Sequence, residues 1–205
     1  MRLAIGGPTR ETVPATFAVV AAHLLAYTRE MGPWGKDVTL DFIASTYIHV
    51  GRELFLEASI KQGATHIFWL DTDMRVPRET AVLLSMHDQP IVACNYPVRQ
   101  PSGLFTAFRD GERIPTHEHS TGLETVDYCG MGAMLMRVDA VAGFVRPWFR
   151  HGINEHGGDI GEDVGFCRAL RAIGHQVYID HDISKGVTHI GQREYGIHQT
   201  EAVAV

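Results

Sequence analysis

The first seventy residues alternate short apolar runs with longer helix-like ones, and this alternation restricts the possible fold more than anything else in the chain. Residues 3–6 read as a strand, broken by Gly7-Pro8-Thr9-Arg10. PATFAVVAAHLLAYTREMG then begins at Pro14 and ends at Gly32, and proline in the first turn with glycine past the last is helix punctuation. Residues 38–43 form a second candidate strand. In VGRELFLEASIKQG, Leu54, Ala58 and Ile60 recur at roughly helical spacing until Gly63 stops the run. HIFWLD follows as a third strand. Two strand-helix-strand passages in succession predict a parallel sheet covered by helices.

After Pro77 a short helix over 78–86 leads to PIVACNY, another apolar strand. Residues 96–126 are polar and rich in turn formers, with short strands expected around 104–108. YCGMGAMLMRV reads as a glycine-broken strand, residues 145–160 as loop, GEDVGFCRALRAIG as a helix closed by Gly174, and QVYID as the final strand. No repeat, low-complexity tract or linker interrupts the chain. Its 205 residues suffice for one domain with its own core. The expected fold class is α/β, with a looser, mixed or antiparallel second half whose loops carry substrate groups.

Cys94, Cys129 and Cys167 are odd in number, far apart and free of any C-x-x-C spacing, which fits a reduced intracellular protein without a disulfide framework. A net charge of -6 argues against a protein that lives on nucleic-acid phosphates. MRLAIGGPTRE has too short an apolar stretch for a signal peptide, and no later run is long enough to span a bilayer. The expected location is the cytoplasm.

The strand HIFWL runs into Asp71-Thr72-Asp73. If the strand continues, its alternation sends both acids to one side and Thr72 to the other. In open α/β sheets that place, beyond the carboxyl ends of the strands, is where ligands bind. A strand ending in an ordinary turn, with Asp73 capping the next segment, explains the same letters. The chain has no G-x-x-x-x-G-K-[ST] and no complete G-x-G-x-x-G. Paired carboxylates there suit Mg²⁺ or Mn²⁺, which takes one or two protein acids and completes its shell with water and substrate phosphates.

IFWLDTDMRVP resembles the D-x-D strand of the GT-A fold glycosyltransferases. GEDVGFCRALRAIG resembles their acidic x-E-D motif at the start of a late helix, and VTHIG the histidine near the C-terminus that completes the metal site. AIGGPTRETVPATFAVVAAHLL is similar to the first strand, loop and helix of small bacterial and phage members. The likeness extends from residue 3 to residue 191, and the order and spacing of the motifs carry it.

The resemblance implies a GT-A type fold with a Rossmann-like, mostly parallel sheet. Residues 1–205 would form one domain, 1–95 its nucleotide-binding half and 96–205 its donor- and acceptor-binding half. It further implies a nucleotide diphosphate sugar as donor, and Mn²⁺ or Mg²⁺ held by Asp71, Asp73 and His189, with Asp71 approaching the ribose or the metal. Thr9 and Arg10 in the first loop, Arg52 on the second helix and Thr72 would help hold the nucleotide. Gly130 and Gly132 would let the backbone approach the donor sugar; a bulge is the alternative. In an inverting enzyme Asp163 would be the general base, with Glu162 orienting acceptor or backbone, whereas in a retaining one both would only position substrate. Glu162 and Asp163 also serve the helix start, where the dipole favours carboxylates.

The loops NYPVRQPSG and RPWFRHGINEHGG offer Tyr96, Arg99 and Trp148 as acceptor contacts. His117-Glu118-His119 lacks further ligands at zinc spacing and reads as surface. A metal-dependent nucleotidyl or phosphoryl transferase and a silent nucleotide-sugar-binding module are the rival readings. The acceptor is open among glycan, lipid-linked sugar, protein and modified DNA base.

Overall fold

The structure is a computed structural model that describes residues 1–99, 103–153 and 157–191, together with the backbone of residues 194 and 195. Parts of both loops expected to shape the acceptor site, residues 100–102 and 154–156, lie outside the described residues.

In chain order the elements are β1 (Leu3–Thr9), α1 (Ala15–Met31), β2 (Val38–Ala44), α2 (Ile48–Lys61), β3 (His66–Leu70), β4 (Met74–Arg75), α3 (Thr80–Ser85) and β5 (Ile91–Cys94). There follow β6 (Phe108–Arg109), β7 (Glu112–Arg113), β8 (Leu123–Val126), β9 (Ala133–Arg137), β10 (Gly152–Ile153) and β11 (Asp159–Ile160). The chain continues through α4 (Glu162–Ala172), β12 (Val177–Asp180), α5 (His181–Ser184), β13 (Thr188–Ile190) and β14 (Glu194–Tyr195).

Seven strands make the central sheet in the order β2-β1-β3-β9-β5-β12-β8. β1 runs parallel to β2 and β3, and β12 parallel to β5; β9 is antiparallel to both β3 and β5, and β8 antiparallel to β12. Short antiparallel pieces, β6-β7, β10-β11 and β14-β13-β4, surround it. A mostly parallel sheet flanked by helices, with smaller antiparallel parts, is the α/β architecture that the resemblance implied.

The period of two along β3 explains the layering. Ile67 and Trp69 enter one core with Phe55 and Leu56 of α2 and Phe166 and Leu170 of α4, while Phe68 and Leu70 enter the other with Phe17 and Leu24 of α1 and Leu84 of α3. A strand covered on both faces has no polar side, which is why HIFWL reads as a continuous apolar run. No helix among the described residues is long and apolar enough to cross a membrane.

Several boundaries differ from the sequence reading. α2 buries Gly51, Arg52, Phe55, Leu56 and Ser59, and leaves Leu54 45% exposed, so the expected stripe through Leu54 is not the core-facing one. Close packing against β1 sets this rotation, since a Cβ on Gly51 would lie 2.8 Å from Cβ of Pro8. β9 begins only at Ala133, after the glycines, and the 104–108 region contributes isolated bridges at Phe105 and Phe108 beside the two-residue β6. The stretch expected to be polar loop contains β8, of which only Val126 is buried. The described residues between 145 and 160 are loop apart from the small β10-β11 pair. QVYID is not the last strand, because α5, β13 and β14 follow it.

Candidate functional site

The carboxyl ends of β1, β2 and β3 lie together because the three strands are parallel. Beyond β1 and β2 opens a cleft of about 500 Å³, lined by Arg10, Glu11, Ala44, Ser45 and Thr46. Thr9, at the end of β1, accepts the Ser45 N–H on its carbonyl, and its hydroxyl is buried without a partner among the described residues. Of the two candidates in the first loop, Arg10 lines this cleft and Thr9 ends the strand beside it.

Beyond β3 the strand does not continue into Asp71. The last paired residue of β3 is Leu70, the Asp71 N–H still donates to the Gly132 carbonyl at 3.1 Å, and the Met74 N–H donates to the Asp71 carbonyl at 3.1 Å, so Asp71, Thr72 and Asp73 make a turn. Alternation thus does not govern the two acids, and their carboxylates take different partners.

Asp71 turns inward to Arg52. One guanidinium nitrogen, Nη2, donates to both carboxylate oxygens at 3.0 and 3.1 Å, while Nε donates to Glu162 Oε1 at 3.3 Å. Arg52 is 3% exposed and lies 5.8 Å from the centre of the Trp69 ring. Burial alone would lower its pKa, but the charges of Asp71, Glu162 and Asp163 outweigh that and hold it above the usual value. Its Nη1 is buried without a partner among the described residues. The arginine expected to touch the nucleotide is thus the tie between the turn after β3 and the first residue of α4.

Burial pushes the Asp71 carboxyl up, and although Arg52 opposes this, the charges of Asp73 and Glu162 add to it. Asp163 is likewise raised, by burial first and then by Glu162, against the pull of the Val164 N–H on its Oδ1 at 2.7 Å and of Arg52.

Asp73 turns the other way. β13 pairs antiparallel with β4, setting His189 opposite Met74, and the Ile190 N–H donates to the Asp73 carbonyl at 2.6 Å. His189 Nε2 lies 3.3 Å from Asp73 Oδ2, and its Nδ1 lies 3.3 Å from the Pro97 carbonyl. The same Asp73 oxygen receives Arg99 Nη2 at 3.1 Å. Burial pushes the Asp73 carboxyl up, but the His189 bond and the charges of His189 and Arg99 outweigh it and hold the group below its ordinary value.

A histidine that donates Nδ1–H to a backbone carbonyl presents the Nε2 lone pair outward, as metal-ligating histidines do. In His189 the two ring nitrogens each face an oxygen, Nδ1 the Pro97 carbonyl and Nε2 the Asp73 carboxylate. One imidazole nitrogen and one carboxylate are donors that fit Mn²⁺ or Mg²⁺ completed by water and phosphate oxygens. Among the described residues no group of three or more His, Cys, Asp and Glu gathers into a metal cluster. Asp71, the third expected ligand, is engaged by Arg52 instead.

The remaining candidates are also placed. Thr72 is half-buried within the turn. Tyr96 is buried, accepts the Gly132 N–H on its hydroxyl at 2.8 Å, and meets the His189 ring edge-on at 5.6 Å. A Cβ on Gly130 or Gly132 would lie 2.4 or 2.6 Å from that hydroxyl, so the glycines accommodate Tyr96. Trp148 is half-buried, with the Arg146 guanidinium 4.7 Å from its ring centre. His117, Glu118 and His119 are exposed.

Two contributors escaped the sequence reading. The Pro97 carbonyl orients His189, and nothing in the letters of a loop announces a backbone acceptor. Glu53 accepts Arg146 Nε at 2.8 Å and the N–H groups of Trp148 and Phe149 at 2.8 and 3.2 Å, anchoring to α2 the loop that leads to the acidic helix. Its position beside Arg52 on α2 was the available signal.

No protein-family model matches the chain, and no curated protein matches its sequence. Among solved structures it is similar to the crystal structure of A197 from STIV, with a TM-score of 0.66 and 17% identity over 97% of this chain and 92% of that one. That likeness establishes the fold alone. A glycosyltransferase involved in the glycosylation of the major capsid of PBCV-1 matches with a TM-score of 0.39 and 13% identity, over 72% of this chain and 70% of that one, too weakly to bear on fold or function.

Proposed function

We propose that the protein is a metal-dependent glycosyltransferase that moves a sugar from a nucleotide diphosphate sugar to an acceptor hydroxyl. The observation that supports this most directly is the β4-β13 pairing, which brings His189 to 3.3 Å from Asp73 at the carboxyl edge of the sheet. The x-E-D helix start meets the same place through Arg52. Three motifs far apart in the chain thereby become neighbours.

In this reading the nucleoside occupies the cleft at Arg10, Ser45 and Thr46, with Thr9 beneath it. Asp73 and His189 would hold the divalent ion, which would supply positive charge against the departing diphosphate. Asp71 and Glu162, fixed by Arg52, set the floor of the site. In an inverting course Asp163 accepts the proton of the acceptor hydroxyl as its oxygen bonds to the anomeric carbon and the bond from that carbon to the diphosphate oxygen breaks. A carboxyl raised by burial suits this role, since a base works best when its pKa approaches the working pH.

The test is a thermal-shift panel of nucleotide sugars with and without Mn²⁺, followed by assay of nucleoside diphosphate release. A ligand at a hundred times its Kd adds about 2.7 kcal/mol, or roughly 5–10 °C for a chain of this size. The expected result is a shift that needs both Mn²⁺ and one nucleotide sugar, lost in Asp73→Asn. No shift with any donor would overturn the reading, and release of inorganic pyrophosphate would replace it with nucleotidyl transfer.

A further inference from the structure

Resting on the metal-and-diphosphate reading above, we infer that Arg99 is an exchangeable partner of Asp73, holding the carboxylate while the site is empty and passing to the donor's diphosphate when a divalent cation takes Asp73. The assignment starts from one atom. Asp73 Oδ2 receives both Arg99 Nη2, at 3.1 Å, and His189 Nε2, at 3.3 Å. A divalent ion shared by Asp73 and His189 would enter where that oxygen faces the imidazole, and a guanidinium already there competes for the position and repels the incoming charge.

The neighbouring ion pair shows the contrast. Arg52 is buried with a 4% exposed side chain and is fixed by two carboxylates, whereas the Arg99 side chain is 54% exposed and has a single carboxylate partner among the described residues. An exposed pair of this kind is weak enough to exchange, and a long arginine side chain moves its charge without moving the backbone. The segment that carries it is anchored close by. Tyr96 is tied to Gly132, and the Pro97 carbonyl to His189, so Arg99 swings from a base fixed to the histidine it shares Asp73 with. Once displaced, its fork of N–H donors stands beside the cation and matches phosphate oxygens.

The experiment measures Mn²⁺ binding to the folded protein by titration calorimetry or electron paramagnetic resonance, for wild type, Arg99→Gln and Asp73→Asn. Binding of inorganic pyrophosphate is then measured at saturating Mn²⁺. Removing an exposed competitor is expected to tighten Mn²⁺ binding about two- to five-fold. Pyrophosphate affinity is expected to fall by at least the same factor, because the displaced guanidinium is lost with it. Arg99 is at the surface, so the variant keeps its fold, and melting temperature verifies this. If wild type binds Mn²⁺ through Asp73 but Arg99→Gln binds it no tighter, or keeps its full pyrophosphate affinity, the exchange is refuted while the metal reading stands. If wild type binds no Mn²⁺ that Asp73→Asn loses, both fall together.

Discussion

Replacing Arg52 by methionine isolates the contact on which the site is built. The side chain is 4% exposed and its two partners, Asp71 and Glu162, are 27% and 12% exposed, so removing the cation strands two carboxylates in a poorly solvated place. Breaking a buried ion pair by deleting one partner costs about 3–5 kcal/mol, and the partial exposure of Asp71 puts this case near about 3. For a chain of this length that corresponds to a fall in melting temperature of roughly 6–12 °C. The loss should depend on pH in a defined direction. The Asp71 carboxyl already lies above its ordinary value through burial, with Arg52 opposing, so Arg52→Met raises it further. A carboxyl raised in the folded state favours folding while protonated and disfavours it as pH climbs through the folded pKa. The variant's deficit should therefore shrink on acidification, as the pH falls through the raised Asp71 pKa and the carboxyl protonates in the fold. Equilibrium urea unfolding of wild type and variant at several pH values reads both quantities. Adding Asp71→Asn and Glu162→Gln to Arg52→Met should restore part of the loss, since no charge is then stranded. A deficit below about 1 kcal/mol, or one that grows on acidification, would refute the argument.

Three further substitutions probe other parts of the assembly. Gly130→Ala sets a methyl group 2.4 Å from the Tyr96 hydroxyl and should cost about 1–3 kcal/mol in unfolding experiments. Adding Tyr96→Phe should recover part of that loss, so strictly additive losses would show that the tyrosine is not the obstacle. Asp163→Asn should lower sugar transfer at least about a hundred-fold while leaving nucleotide-sugar binding intact, and full turnover would remove Asp163 from the chemistry. Glu53→Ala frees the Trp148 and Phe149 amides and should speed their hydrogen exchange, with about 1–3 kcal/mol of lost stability; unchanged protection at those amides would mean that the loop is held elsewhere.

How much of this was legible in the sequence depended on the range of the interaction. HIFWL was readable because both faces of β3 are covered and every residue from Ile67 to Leu70 is buried. LETV was not, because β8 is an edge strand with one buried residue and no apolar signature. The buried face of α2 was hard to read because Arg52 sits on it beside Gly51, Phe55, Leu56 and Ser59, and hydropathy assigns an arginine to solvent. Only the acids that meet it, 19 and 110 residues away in sequence, reverse that assignment. The acids after β3 were recognised as a pair, but their divergence depends on Met74 closing a turn on Asp71, which D-x-D spacing does not encode. The histidine was placed by its resemblance to a motif. Its contacts, the Pro97 carbonyl and the register with β4, belong to the fold.

Four carboxylates crowd one end of this sheet, and the way they are neutralised divides the site into two parts with different physical character. Asp71 and Glu162 share a buried, permanently charged guanidinium, an arrangement that is costly to break and therefore keeps the turn after β3 on the start of α4. Asp73 is held by an imidazole and an exposed arginine, and the exposed pair can exchange partners at small cost. Asp163 has no ion pair among the described residues and responds by holding its proton more tightly. A fixed pair, an exchangeable pair and a carboxyl with raised proton affinity are different devices produced from one residue type by burial and company alone. The proposed glycosyl transfer would use each of them: a rigid floor, a place where a cation could enter and leave, and a group able to accept a proton.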